Sequence, residues 1–239
     1  MSPYQYERLN QERQEIRIFR HTTDLPDGTM VMQMETVSLL EQSRQAFITA
    51  SYVWENSLMN RSTVIDDQVL LVTQNVYDLL HVLLRTEEFV GPLTSSDLHG
   101  SWWWIDSICI NQKDLSDRAS QVRIMGEIYK SSRMTIAYTG PAHDDSDWAM
   151  KWIERTGTQK KASERLPIGS TEASRMMAAF HKFHARPWFS RAWILQEWIL
   201  PTIVIVLTGS TCLDSEALET AILDSKLACS NQLSDREYR

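Results

Sequence analysis

Trp102-Trp103-Trp104-Ile105-Asp106-Ser107-Ile108-Cys109-Ile110 is the stretch on which the fold turns. It is apolar at odd and even positions alike except at Asp106 and Ser107, the pattern of a strand covered by layers on both faces. Polar residues Asn111, Gln112, Lys113 and Asp114 follow, so the strand is predicted to run to Ile110 and to end at that cluster. Beyond it, Ala119 to Lys130 carries Val122, Met125 and Tyr129 on one helical face, with Asp117 near the positive N-terminal end. Met134 to Tyr138 then reads as a second buried strand closed by Gly140. Strand, loop, helix, strand predicts a parallel α/β unit with a right-handed crossover. Ligands of such sheets sit beyond the strand carboxyl ends, which puts Asp106 to Asp114 near a rim.

Upstream, Ile16 to Phe19, an Asp27-Gly28 turn and an alternating Met30 to Leu40 segment predict a β-meander over residues 1–45 at the domain edge. Ala46 to Trp54 is a β-rich run predicted to enter the core. Val64-Ile65 and Val69 to Val72 flank Asp66-Asp67-Gln68 as a small hairpin, and Asn75 to Arg85 spaces Val76, Leu79, Leu80 and Leu83 as a helix capped by Asn75 or Thr73. Glu87 to Gly100 reads as a loop.

Downstream, residues 141–171 are polar and predict a mobile insertion with one helical turn at Trp148 to Ile153. Glu172 to His184 carries Met176, Met177, Phe180 and Phe183 at helical spacing until Pro187 stops it. Residues 190–199 predict a further helix, Ile203 to Leu207 a short buried strand, and Ser215 to Cys229 a last amphipathic helix before a charged tail. The chain thus reads as a single domain: the meander, an α/β core over 46–209, and a helix and tail over 210–239.

The 239 residues are 43% hydrophobic, enough for a substantial core. With 24 basic against 31 acidic side chains there is no basic field to hold a phosphate backbone, so nucleic acid is excluded as a partner class. Cys109, Cys212 and Cys229 form neither a disulfide framework nor metal-ligand pairs, which fits a reducing cytoplasm. No apolar run approaches membrane-spanning length, and the first ten residues lack the apolar core of a signal peptide.

Glu197 is the residue that most needs explaining, since it sits inside the most apolar helical run, Phe189 to Trp198. A carboxylate among indoles is costly unless something uses it. Its plain explanation is an ion pair with Arg191 or Arg186, or a helix-face acid reaching water. Asp106 poses the same question, and its plain explanation is to cap the backbone of the loop that follows. His181 and His184 lack converging partners for a metal, and Cys109 has no neighbouring histidine to make it a nucleophile. No glycine-rich phosphate cradle is present.

Three blocks resemble the fungal heterokaryon-incompatibility (HET) domain. They are Ser51-Tyr52-Val53-Trp54; Trp104 to Gln112 with Asp114; and Arg186-Pro187-Trp188-Phe189-Ser190-Arg191-Ala192-Trp193 with Gln196-Glu197. Arg118, Gln121-Val122, Met125, Ile128-Tyr129 and Gly140 fall where the family pattern expects them, and the likeness runs from about Ile16 to Gly209. Departures are Glu55 where the family usually has glycine, Asp117-Arg118 for its acidic-arginine pair, and Tyr138-Thr139 before the glycine. The resemblance implies non-self recognition and regulated cell death, as the effector module of a larger fungal protein with an upstream sensor.

Trp193 and Glu197, preceded by Ser190, are also similar to a segment of Toll/interleukin-receptor (TIR) domains, in whose enzymatic members the glutamate is needed to cleave NAD. That likeness implies a flavodoxin-like, mostly parallel sheet flanked by helices, self-association, and NAD or a related nucleotide as substrate rather than cofactor. Breaking the nicotinamide–ribose bond builds positive charge on the ribose, which a fixed carboxylate stabilises. Glu197 is then the catalytic candidate. Trp54 or Trp193 would stack on the nicotinamide, Asp106 or Asn111 would hold ribose hydroxyls, and Tyr52 and Arg191 complete the substrate-binding set. The rival reading is a non-catalytic assembly module in which Arg191 and Glu197 form a structural pair; a third is a nucleoside hydrolase or transferase unrelated to cell death. Catalysis expects Glu197 to face an open pocket beside Asp106 or Trp54, whereas a scaffold allows it to be buried against arginine.

Overall fold

The computed structural model describes residues 1–54, 58–158, 170–192 and 194–221. Its centre is β3 (Phe47–Ser51), buried at every position. It pairs in parallel with β6 (Trp102–Trp104) on one side and β7 (Thr135–Tyr138) on the other, and β8 (Val204–Thr208) continues the parallel set beyond β7. β1 (Glu15–Asp24) and β2 (Met30–Ser38) form a hairpin whose turn needs the left-handed Gly28, at φ 82°. β4 (Met59–Ile65) and β5 (Gln68–Thr73) form a second hairpin, turning through Asp66 and Asp67, both at positive φ, as a two-residue hairpin turn requires. β9 (Thr211–Asp214) closes the sheet antiparallel to β8, giving the order β5-β4-β2-β1-β6-β3-β7-β8-β9.

The protein is therefore α/β with a mixed sheet flanked by helices. The expected mostly parallel sheet is corrected: half of the strand pairings are antiparallel, and the two hairpin ladders are the longest, nine paired positions in β1–β2 and six in β4–β5 against at most four in any parallel pair. The first hairpin is also no edge ornament. β4 adds outside β2 in parallel and β1 pairs with β6, so the hairpin lies inside the sheet.

Helices follow the apolar spacing. α1 (Gln74–Arg85) buries Val76, Leu79, Leu80 and Leu83 and is capped by Thr73, whose side chain accepts from Val76 N. A short α2 (Ser95–Leu98) with a Thr94–Asp97 capping box interrupts the expected loop. The strand predicted to Ile110 stops at Trp104, and a helical turn, α3 (Asp106–Cys109), begins there because Ile105, Ile108 and Cys109 all turn inward. The next helix is two pieces, α4 (Leu115–Arg123) and α5 (Met125–Ser131), broken at Ile124. In the predicted mobile insertion, α6 (Ser146–Thr158) is a full helix anchored by Ala149, Met150 and Ile153; residues 159–169 lie outside the described set. α7 (Thr171–His184), a 3-10 turn Pro187–Ser190 and α8 (Ile194–Ile199) follow. Residues 215–221 are helical, and the rest of the predicted last helix and tail, with Cys229, is outside the described residues.

Two apolar clusters form. On β7, β8 and β9 alternate residues divide between them: Ile136, Ile205, Leu207 and Cys212 join the larger, Ala137, Val204, Val206 and Leu213 the smaller. Each sheet edge carries a short strap. Tyr4 N donates to Val69 O and Val69 N to Ser2 O on β5, while Val90 N donates to Ser210 O and Cys212 N to Val90 O on β9. The second strap requires Gly91, where a Cβ would lie 2.1 Å from Cys212 O. Among the described residues no helix is long and apolar enough to cross a membrane.

Candidate functional site

The register of the central strands sets the site. Thr49 pairs with Trp104, so two residues further on Ser51 and Asp106 emerge together at the carboxyl ends of β3 and β6. Pro187 stops the preceding helix and starts the 3-10 turn that buries Trp188 and leaves Arg191 ahead of α8. α8 packs against α5 and β7 and carries Glu197 inward.

At the base lies a closed polar network. Glu197, 2% exposed, receives a bidentate pair from Arg191, Nη1 to Oε2 and Nη2 to Oε1, each at 3.2 Å. Ser51 Oγ donates to Glu197 Oε2 and accepts from Trp188 Nε1 at 2.8 Å and from Arg191 Nη1 at 3.4 Å. The plain explanation of Glu197 is thus realised with Arg191. Arg186 is engaged elsewhere, donating to Thr139 O, Pro141 O, His143 O and Ser146 Oγ. The arginine of the pair is the member nearer solvent, its side chain 18% exposed.

Above this network stands a second carboxylate. Asp106 accepts from the indole Nε1 of Trp54 at 3.0 and 3.3 Å and from Ser107 N at 2.7 Å. Burial, countered by the Arg191 guanidinium and reinforced by the Glu197 charge, pushes its carboxyl up to about 6. Trp54 is 51% exposed and forms an open aromatic wall. Tyr52 is buried beside Asp106, and burial together with that carboxylate raises its phenol well above the ordinary value. Tyr129 is raised in the same way, by burial and then by the charges of Glu197 and Asp106.

Of the residues singled out in the sequence, Glu197, Arg191, Asp106, Trp54 and Tyr52 converge here. Asn111 has its contacts elsewhere: its N–H donates to Asp117 Oδ2, its side-chain oxygen accepts from Lys113 N, and it lines a separate cavity with Tyr6 and Arg17. Trp193 lies outside the described residues. Ser51 and Trp188 also belong to the network; both stand in the blocks that carry the HET resemblance, but without a role of their own. Their signals were a strand of apolar residues closing on a serine and an indole fixed by a preceding proline. No group of three or more His, Cys, Asp or Glu able to hold a metal occurs among the described residues. Cys109 is buried, with its thiol pushed up to about 12 by that burial, and is unsuited to nucleophilic work.

Residues 47–197 match the family described as "Heterokaryon incompatibility protein (HET)". The chain is also 31% identical over 124 residues to "Heterokaryon incompatibility protein 6, OR allele" of Neurospora crassa, covering 48% of this chain and 17% of that relative's length. No solved structure matches it. The family match begins at Phe47, the first residue of the central strand, and ends on Glu197 at the base of the site, and the chain belongs to the heterokaryon incompatibility (HET) family.

Proposed function

We propose that this HET domain is the effector module of a fungal non-self-recognition protein, acting in the cytoplasm to trigger cell death by cleaving NAD at the nicotinamide–ribose bond. The observation that supports this most is the convergence of Glu197 and Asp106, two carboxylates in contrasting environments, beneath an exposed indole at the carboxyl ends of parallel strands. Such strand ends are where open α/β sheets take ligands. The parallel strands run second, first, third, fourth in chain order, as they would in a flavodoxin-like or TIR-like sheet.

In the reaction the C1′–N bond breaks and its electron pair leaves on the neutral nicotinamide. Glu197 stabilises the ribosyl cation, and water adds to C1′ and loses a proton. Asp106, at about 6, is mostly ionised at neutral pH and can take that proton. Trp54 offers its open ring face to a base, and Arg191 gives the pyrophosphate a cation. Engaging phosphate also draws Arg191 off Glu197, which the closed pair at rest requires.

The test is NAD loss and nicotinamide release by the purified domain, dilute and concentrated, beside Glu197→Gln. Turnover that falls at least about 1,000-fold in a folded variant supports the reading. No turnover at any concentration, with Glu197→Gln still toxic in cells, overturns it.

A second reading is favoured by one specific observation, the burial of Glu197 against Arg191. It makes the domain a non-catalytic module that kills through homo-oligomers or an upstream sensor, and it is the reading that the second outcome leaves standing.

A further inference from the structure

We infer that Ser51 and Trp188 are positioning residues that pin one oxygen of Glu197 and leave the other to meet the substrate. This rests on the NAD-cleaving reading of the same site and adds to it which oxygen acts.

A serine hydroxyl has one proton and two lone pairs. Around Ser51 Oγ two N–H donors arrive, Trp188 Nε1 at 2.8 Å and Arg191 Nη1 at 3.4 Å, and both lone pairs are thereby engaged. The single proton is left to point at Glu197 Oε2, where the hydrogen bond is found. Ser51 is thus held as a donor and has no free lone pair with which to take a proton or attack a ligand.

The two oxygens of Glu197 are consequently unequal. Oε2 carries Ser51 and Arg191 Nη1, whereas Oε1 carries Arg191 Nη2 alone among the described residues. Arg191 is the member of the network nearest solvent, while Ser51, Trp188 and Glu197 are all buried. When Arg191 turns outward, Oε2 keeps its anchor and Oε1 loses the one partner it has among the described residues. Oε1 is then the oxygen that faces the developing charge on the ribose. The anchor is held by the sheet and by packing: Ser51 ends the central strand and pairs with Ala137 of β7, and Trp188 packs edge to face on Phe189 at 5.0 Å.

Because Ser51 and Trp188 do not reach the substrate, their loss acts on turnover and not on substrate affinity. Ser51→Ala is expected to lower kcat about 10- to 100-fold, the size of a hydrogen bond to a charged group, with KM within about twofold. Ser51→Thr, which restores the O–H donor, should stay within about threefold of the native kcat. A wild-type kcat in Ser51→Ala overturns the inference while leaving the NAD reading intact. Equal losses in the Ala and Thr variants that follow their melting midpoints reduce Ser51 to a structural role and overturn it too. No turnover by the native domain, dilute or concentrated, removes the NAD reading and the inference with it. Should Ser51→Ala fail to fold, Trp188→Phe removes one donor to Ser51. It is expected to lower kcat about 3- to 10-fold at unchanged KM, and an unchanged kcat overturns the inference.

Discussion

Two buried arginine–carboxylate pairs stand on opposite flanks of this sheet, and they are built for different ends. Arg17, on β1, pairs with Asp117 at the start of α4, with side chains only 3% and 10% exposed. Its guanidinium also donates to Cys109 O and Glu7 O and lies 5.0 Å over the Tyr6 ring, while Asp117 accepts from Asn111 N. Those partners are mostly backbone, and they tie the N-terminal segment, β1, the turn after α3 and α4 together. Arg191–Glu197 inverts the arrangement: the acid is the deeper member, the cation faces outward, and the neighbours are side chains, among them a second carboxylate and an exposed indole. An ion pair locked by backbone carbonyls is a clamp, whereas one whose cation is reachable from solvent can be opened by a competing anion.

Substitutions should separate the two, and the largest effect is expected at the clamp. Arg17→Ala strands Asp117 and two carbonyls and should cost about 3–5 kcal/mol in denaturant unfolding. Arg191→Ala is expected to cost less, about 2–4 kcal/mol, since water can follow into the vacated, partly open position; adding Glu197→Gln should recover most of it. Equal costs without that recovery would break the distinction.

Asp106 gives a smaller, pH-dependent effect. Its folded value, about 6, is above the ordinary 3.8, so between about pH 4 and 6 the folded protein holds a proton that the unfolded chain has released. Stability from this group is therefore present below that window and declines as pH rises through it. Subtracting the profile of Asp106→Asn should isolate a fall of about 1–2 kcal/mol, after allowance for partial exposure. On the proposed NAD-cleaving function, the same titration predicts an acid limb near pH 6 in turnover. Trp54→Ala should change stability least, by under about 0.5 kcal/mol, because the ring is exposed. On the proposed NAD-cleaving function its effect belongs to substrate affinity, with KM rising about 10-fold for the loss of one stacked base.

Much of this fold was legible locally. The Asp66-Asp67 turn, the Thr73 cap and the apolar spacing of α1 are short-range signals, and each appears where the residues place it. The end of β6 was not, because Ile105, Ile108 and Cys109 satisfy both a continuing strand and one helical turn; only packing decides between them. β9 was hidden in Thr211–Asp214, four residues with no pattern long enough to read. At the site, Glu197 and Asp106 stand out as acids in apolar runs. Ser51 and Trp188 do not, since their roles arise from a contact across 137 residues of chain that no local spacing encodes.

The straps on β5 and β9 bear on how copies of this domain can associate. Ser2–Tyr4 holds Val69 of one outer strand, and Val90 engages Ser210 and Cys212 at the other. An incoming strand would have to evict one of them before it could pair along the full edge. Fibril-like templating through the strapped parts of these margins is thereby disfavoured, for a sheet that counts nine strands among the described residues.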